Sequence, residues 1–121
     1  MRPIKFRGYN YKNKQWLHGC YLLNRGMHFV APDGIADPQK TREDFEIDPT
    51  TIGQYTGRND KNGREIYEGD RIRCTAPNWK KGTFRDFVVS WSEQSGMFTP
   101  MGLFDDYIEI EVIGNVHEQK E

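Results

Sequence analysis

Apolar and polar residues alternate over short stretches of this chain, and a period of two is typical of β-strands. Residues 4–8 show the pattern first, which predicts a strand that buries Ile4 and Phe6 and exposes Arg7. Turn-forming residues separate this stretch from Gln15–His18, a second short alternating segment. The two segments together predict an N-terminal β-hairpin.

The central stretch, residues 51–70, is rich in turn formers between apolar segments. Asn62 and Gly63 are the residues that a tight reversal with positive φ angles favours, so they predict a hairpin turn. Glu68–Asp70 predicts a second turn. It leads into residues 70–76, which alternate charged and apolar side chains and predict a strand with Ile72 and Cys74 facing inward.

The C-terminal half also consists of alternating segments separated by turns. Residues 84–91 form the most strand-like run in the chain, and a polar turn at 92–96 connects it to Met97–Thr99. A last alternating segment, residues 107–112, is followed by Ile113, which breaks the phase and predicts a β-bulge. Short strands joined by a Gly-Asp turn and two hairpins are typical of a small SH3-like barrel.

The predicted fold is therefore all-β. No window carries a helical apolar period, and the proline-containing stretch 32–49 predicts a loop with at most a short helix in the 38–48 segment. We expect two subdomains: an N-terminal β-rich part over residues 1–50 and a C-terminal SH3-like β-barrel over residues 51–121.

Composition supports a folded, intracellular protein. Aromatic residues make up 13% of the 121 residues, which favours sheets, and the net charge is -1. Cys20 and Cys74 have no CxxC spacing and predict buried free thiols in a reducing compartment. With no transmembrane-length segment and no signal core at the N-terminus, we expect a soluble protein of the cytoplasm that does not bind membranes.

Four motifs in order, together with an opening Ile4–Arg7 strand, give the chain a resemblance from end to end, although segment 20–45 carries no such motif. The motifs are Gly53–Gly57, Asp60–Gly63, Ile66–Asp70 and Val112–Val116. This combination resembles the YopX family of phage and prophage proteins. The resemblance implies an all-β accessory protein of a phage-derived gene, acting in the cytoplasm of a bacterial host cell, with no catalytic residues to carry over.

Metal and cofactor sites are not predicted. Asp60–Gly63 has the spacing of part of a calcium loop, but the first ligand position of that loop falls on Arg58, a cation. His18 and Cys20 lie on one face of a strand, yet a structural zinc site needs four converging ligands and there is no second close pair. A hairpin turn and isolated histidines explain these residues.

Catalysis is not predicted either. The sequence has no nucleophile elbow, phosphate-binding loop or metalloprotease motif. Glu68 and Asp70 have a structural alternative, which is to accept hydrogen bonds from backbone amides in their turn, and Asp105 and Asp106 can serve the loop before the last strand. We therefore expect a protein that is not an enzyme.

Two functions remain, and both are binding functions. The first is a protein-interaction or self-association module, whose partner is a second copy or another phage or host protein reached through exposed edge strands. The alternative is a weak nucleic-acid-binding module, because small barrels bind single strands with aromatic and cationic side chains. The residues predicted for that surface are Arg71, Arg73, Trp79, Lys80, Lys81 and Arg85.

Overall fold

The computed structural model describes residues 4–32, 42–94, 96–99 and 108–117, and within them the protein is all-β. Two 3₁₀ turns, Arg42–Asp44 and Pro49–Thr51, interrupt the strands, and these residues contain no α-helix. The strands are β1 Phe6–Asn10, β2 Gln15–Asn24, β3 Met27–Ala31, β4 Gly53–Asn59, β5 Glu65–Tyr67, β6 Asp70–Thr75, β7 Arg85–Val88, β8 Ser90–Ser92, β9 Met97–Thr99 and β10 Glu109–Asn115.

The chain divides into two compact units, Met1–Tyr55 and Thr56–Glu121. In the first unit the strands follow the order β3-β2-β1-β4, and all neighbours are antiparallel. Segment 45–47 continues the pairing beyond β3, because the Val30 amide donates to the Phe45 carbonyl and the Ile47 amide donates to the His28 carbonyl, both at 3.0 Å. The core of this unit consists of Leu17, Val30 and Ile47.

The first strand differs from the prediction at two positions, although Gly8 is buried and Phe6 is half-buried. Ile4 lies before β1 and is 77% exposed, whereas Arg7 is 5% exposed. The Arg7 guanidinium lies over the Trp16 ring, 4.9 Å from its centroid. This cation–π contact gives the buried cation a favourable partner. The predicted burial of Ile4 and exposure of Arg7 were therefore wrong.

In the second unit β10, β6 and β7 form one antiparallel sheet in that order, and β8 pairs with β9. The register of β10 on β6 shifts between Val112 and Gly114, which confirms the bulge predicted around Ile113. Apolar residues of β5, β6, β9 and β10, together with Val89 between β7 and β8, meet in a second core. It contains Ile66, Ile72, Cys74, Val89, Phe98, Ile110 and Val112.

The hairpin turn predicted in the central stretch connects β4 and β5. Gly63 has φ +82° and donates its amide to the Asp60 carbonyl at 3.0 Å, whereas Asn62 is not among the residues with positive φ. Asp70 fulfils its predicted turn role, because its Oδ2 accepts from the Tyr67 amide at 2.8 Å.

Several finer predictions have mixed outcomes. The all-β class is confirmed, but the sheets among the described residues are open, so a closed SH3-like barrel is not confirmed, and the division after residue 50 stays a prediction.

The two cysteines differ in burial. Cys74 is buried as expected, and burial raises the pKa of its thiol, whereas Cys20 is exposed, against the prediction. In segment 38–48 the structure describes one 3₁₀ turn; residues 33–41 and the predicted loop residues Asp105 and Asp106 lie outside the described part.

None of the described helical turns is long and apolar enough to span a membrane.

Candidate functional site

A cleft of about 250 Å³ in the second unit contains most of the cations predicted for a nucleic-acid surface. We refer to it as the lysine cleft. It is lined by Lys61, Arg73, Thr75, Ala76, Trp79, Lys80, Lys81, Gly82, Thr83, Phe84, Glu109 and Glu111. Four cations face two carboxylates, so the lining is net positive although the whole chain is nearly neutral.

The two strands β6 and β10 supply one wall of the cleft. Arg73 and Thr75 alternate with the buried residues Ile72 and Cys74, so their side chains point away from the core. Across the ladder Glu111 lies opposite Arg73 and Glu109 lies opposite Thr75. The period of two in both strands therefore brings cations and carboxylates to the same face.

The loop between β6 and β7 supplies the lysines. Pro77 lacks an amide hydrogen and follows the end of β6 closely. Two turns then fold the loop: the Trp79 amide donates to the Ala76 carbonyl at 3.1 Å, and the Thr83 amide donates to the Lys80 carbonyl at 2.9 Å. Lys80 and Lys81 stand exposed on the resulting rim.

Lys61 reaches the cleft because Asp60 fixes its turn to β10. Asp60 Oδ1 accepts from the amides of Asn62 and Arg64, and its Oδ2 accepts from the Val112 amide, each at 2.9 Å. The Lys61 amide donates to the Ile110 carbonyl at 2.9 Å. Burial raises the pKa of Asp60, but the backbone donors together outweigh it and hold the pKa below its usual value.

Arg73 is already engaged within the fold. Its Nε donates to Asp86 Oδ1 at 2.9 Å and its Nη2 donates to Asp86 Oδ2 at 3.0 Å, the paired geometry that a planar guanidinium favours. The same hydrogen bond lowers the pKa of Asp86. The guanidinium also lies over the Phe84 ring, 4.0 Å from its centroid. Arg73 therefore helps to shape the cleft and has little charge to offer a ligand.

Trp79 lies between the core of the second unit and the lysine cleft. It is half-buried and packs against the core of the second unit, and it also lines the cleft. The Arg85 guanidinium lies over its ring at 5.1 Å from the centroid. Part of the indole is thus held by packing, while the part that borders the cleft is available for stacking.

The structure brings four of the six predicted residues into the cleft: Arg73, Trp79, Lys80 and Lys81. Arg85 contacts Trp79 from outside the lining, and Arg71 is not part of it. Lys61, Phe84, Glu109 and Glu111 were missed. The period of two in β10 is consistent with one face for the two glutamates, but their position beside β6 depends on a ladder between strands far apart in sequence.

The β7 edge is a second exposed feature of this unit. β7 ends the order β10-β6-β7, and among the described residues no strand pairs with its other side. All four of its residues are exposed, including Phe87 and Val88, and Phe84 beside it is exposed as well. We call the segment Phe84–Val88 the β7 edge.

The described residues contain no group of three or more His, Cys, Asp or Glu side chains placed to hold a metal ion. His28 lies in the first unit, where its Nδ1 shares a hydrogen bond with the Tyr21 hydroxyl, and the two rings stack. Glu65 accepts from the Tyr67 hydroxyl at 2.8 Å. These polar groups are satisfied within the fold.

Known proteins resemble this chain in fold and in sequence. The fold is similar to that of protein EF1440 from Enterococcus faecalis, known from a crystal structure: the TM-score is 0.58, the identity is 24%, and the match covers 98% of this chain and 96% of that chain. The family model described as YopX protein matches residues 5–121. The chain therefore belongs to the YopX family. Comparison with curated proteins gives no match.

Proposed function

We propose that this protein is a non-catalytic binding module that holds single-stranded nucleic acid in the lysine cleft. The observation that carries the proposal is the convergence of Lys61, Lys80 and Lys81 beside the half-buried Trp79. None of the three lysines forms a salt bridge with another described residue, so their ammonium groups are available to phosphates. A cationic groove with an aromatic platform is the arrangement that binds single strands without strong sequence preference.

The proposal involves no chemical step. Two buried carboxylates among the described residues of the unit, Asp60 and Asp70, accept hydrogen bonds from backbone amides. Their use in the fold supports a binding role rather than acid–base catalysis.

The test is fluorescence anisotropy of a labelled, mixed-sequence single-stranded DNA titrated with the protein. The variant Lys80→Glu/Lys81→Glu reverses two charges on the rim. We expect it to lose at least about tenfold in affinity, because each phosphate contact contributes electrostatically. Equal affinities of variant and wild type would contradict the proposal.

Lys14→Glu/Arg25→Glu is the matched control. It makes the same change in net charge at exposed positions of the first unit. We expect it to bind like the wild type, which would separate the local effect of the cleft from the effect of total charge.

A second candidate function is self-association, and the β7 edge favours it. A strand with a free side and exposed apolar residues can pair with a second copy. Antiparallel pairing centred on Phe87 places the two Phe87 residues opposite each other and Asp86 opposite Val88 of the second copy, whereas pairing centred on Asp86 brings two carboxylates together. The apolar register is therefore the favoured one.

Light-scattering mass at several protein concentrations tests this candidate. We expect the mass to rise with concentration, and Phe87→Lys to keep the protein monomeric because an edge lysine opposes strand addition. Leu23→Lys, at an exposed position of the first unit, is the control. A wild-type mass that stays monomeric at every concentration would contradict self-association. A partner other than a second copy remains part of the same proposal, since strand addition is open to any extended peptide.

A further inference from the structure

The lysine cleft contains two carboxylates, which a site for phosphates alone does not need. Glu109 and Glu111 lie on β10 at alternate positions, so both project from the face that borders the cleft. Glu111 lies opposite Arg73, whose guanidinium is bound to Asp86. Glu109 lies opposite Thr75 and makes no salt bridge with a described residue. The cleft thus combines carboxylate acceptors on one wall with cations on its rim.

The size of the cleft limits what it can hold. Its volume of about 250 Å³ is just below the roughly 300–1,000 Å³ of pockets that enclose drug-sized ligands. One nucleotide fits this space better than a longer segment does. Its phosphate would meet the lysines, and its base would lie between the aromatic side chains and the carboxylates.

The chemistry of the acceptors selects among the bases. A carboxylate accepts hydrogen bonds from an exocyclic amino group, as Glu and Asp do from cytosine N4. Guanine presents two adjacent donors on its Watson–Crick edge, N1–H and the N2 amino group, which match the two oxygens of one carboxylate. Thymine and uracil present carbonyl oxygens on either side of a single N–H, and those oxygens repel a carboxylate.

We infer that the lysine cleft prefers a nucleotide whose base carries an amino group, guanine above all, over thymine or uracil, and that Glu109 determines this preference. The inference rests on the nucleic-acid function proposed above and adds a base-specific contact to it. Glu109 is the acceptor because it forms no salt bridge with a described residue, whereas Glu111 lies opposite Arg73. The same selection applies to a free nucleotide and to a nucleotide within a strand.

The test compares a short oligo(dT) strand with the same strand carrying dG in place of its central dT. Affinities come from fluorescence anisotropy with the full chain. We expect the wild type to bind the dG strand about fivefold more tightly, the lower end of the discrimination given by a good bidentate contact. Free GMP, added as a competitor, should displace the labelled strand more effectively than free UMP, and equal competition by the two would contradict selection of a free nucleotide.

Glu109→Gln separates the base contact from the general attraction. The glutamine amide has one acceptor oxygen where the carboxylate has two, so the variant should lose the dG preference. The substitution also removes a negative charge, so the variant should bind oligo(dT) at least as tightly as the wild type. Glu93→Gln makes the same chemical change outside the cleft lining and should leave the preference intact.

The outcomes separate the inference from the function on which it rests. Equal affinity for the two strands, with binding still lost in Lys80→Glu/Lys81→Glu, would overturn the base preference and leave the nucleic-acid function standing. A dG preference that persists in Glu109→Gln would overturn the role of Glu109. Absence of binding to either strand would overturn both proposals.

Discussion

Asp60 shows how a single side chain positions a functional residue. Its carboxylate accepts hydrogen bonds from three backbone amides, two in its own turn and one in β10. The turn and the strand are 52 positions apart at Asp60 and Val112, so the side chain connects segments that the sequence separates widely. Lys61 follows immediately and depends on this connection for its place in the cleft.

Replacing Asp60 by Asn should destabilise the protein by about 1.5–3 kcal/mol, because hydrogen bonds to a charged acceptor are lost and the new amide group faces a donor. The free energy of unfolding from urea titrations at neutral pH measures the effect. Asn59→Ala is the control, since it changes the neighbouring side chain and leaves the carboxylate in place. Equal stability of Asp60→Asn and the wild type would contradict the role assigned to Asp60.

The pH dependence of Asp60 has a definite sign. Its pKa is lowered in the folded state, so its stabilising contribution is present above the pKa of the unfolded chain, near 3.9. That contribution is lost as the pH falls from this value through the folded-state pKa. We expect urea titrations below pH 4 to show a smaller loss of stability for Asp60→Asn than for the wild type. Parallel curves would contradict this origin of acid sensitivity.

Gly19 has no room for a side chain. Its φ is +153°, and a Cβ there would lie 2.3 Å from the Ala31 carbonyl oxygen and 2.8 Å from Pro32 Cα. Gly26 also has a positive φ, but a Cβ there would meet nothing within 4 Å. Comparing substitutions at Gly19 and Gly26 therefore separates the energetic cost of the positive φ from the cost of steric overlap.

Gly26→Ala should cost about 1 kcal/mol through its φ alone. Gly19→Ala should cost about 1–3 kcal/mol more, because the overlapping atoms belong to the backbone and the strands must shift. Urea unfolding of both variants provides the measurement. Equal costs would show that β2 and β3 are spaced more widely at this point than the structure indicates.

At the scale of elements, Asn10 fastens segment 43–46 to the end of β1. The side chain is 1% exposed, and its Nδ2 donates to the Glu43 carbonyl at 3.1 Å and to the Glu46 carbonyl at 2.8 Å. Its Oδ1 accepts from the Asn13 amide at 2.7 Å. One buried amide therefore connects three parts of the first unit.

Asn10→Ala should loosen this segment without unfolding the sheet. We expect the Val30 and Ile47 amides, which hydrogen-bond across β3 and segment 45–47, to exchange with deuterium about tenfold faster, since about 1.4 kcal/mol corresponds to a factor of ten. Asn13→Ala is the control, because among the described residues that side chain makes a single exposed hydrogen bond, to Asp44 at 3.3 Å. Unchanged exchange in Asn10→Ala would contradict the role of Asn10.

Strands with clear alternation were predictable from the sequence, whereas the positions at which a strand is interrupted were harder to predict. Met97–Thr99 and the segment from Asp70 form strands as expected, because the pattern there is local. The run 84–91 divides into β7 and β8 at Val89, whose amide donates to the Asp70 carbonyl at 2.9 Å. That break depends on a partner in another strand, which a local pattern does not contain.

Arg7 illustrates a second limit. The period of two correctly predicted a strand, but both phases of a short alternating segment satisfy the same pattern. In the structure Arg7 is buried and its guanidinium lies over the Trp16 ring of the paired strand β2, and the adjacent Gly8 is buried as well. The sequence pattern therefore predicted the strand β1, whereas the burial of Arg7 depends on the residues that pack against it in the fold.

At the scale of the whole molecule, a net charge of -1 conceals a local concentration of cations. The candidate surface was predictable in part because Trp79, Lys80 and Lys81 are neighbours in the sequence. Lys61 and the two glutamates of β10 come from distant segments, so only the fold brings them to the same cleft. The carboxylates change the interpretation from a simple basic surface to a mixed site.

The Arg73–Asp86 pair gives a prediction at this scale. Asp86→Asn should release the Arg73 guanidinium toward the cleft and remove a nearby negative charge. We expect single-stranded DNA to bind about two- to fivefold more tightly to this variant, as electrostatic contacts with phosphate strengthen. Anisotropy titration checks it, with Glu93→Gln as the charge-matched control. Weaker binding by Asp86→Asn would show that the pair orders the cleft more than it competes with phosphates.

The salt dependence of binding shows whether the lysine cleft contacts phosphates. For the wild type and single-stranded DNA, the logarithm of the association constant should fall with the logarithm of salt concentration with a slope of about -2, since three free lysines each contribute about -0.7. In Lys80→Glu/Lys81→Glu the slope should be no steeper than about -0.7. A wild-type slope near zero, or the same slope in both proteins, would contradict phosphate binding in the lysine cleft.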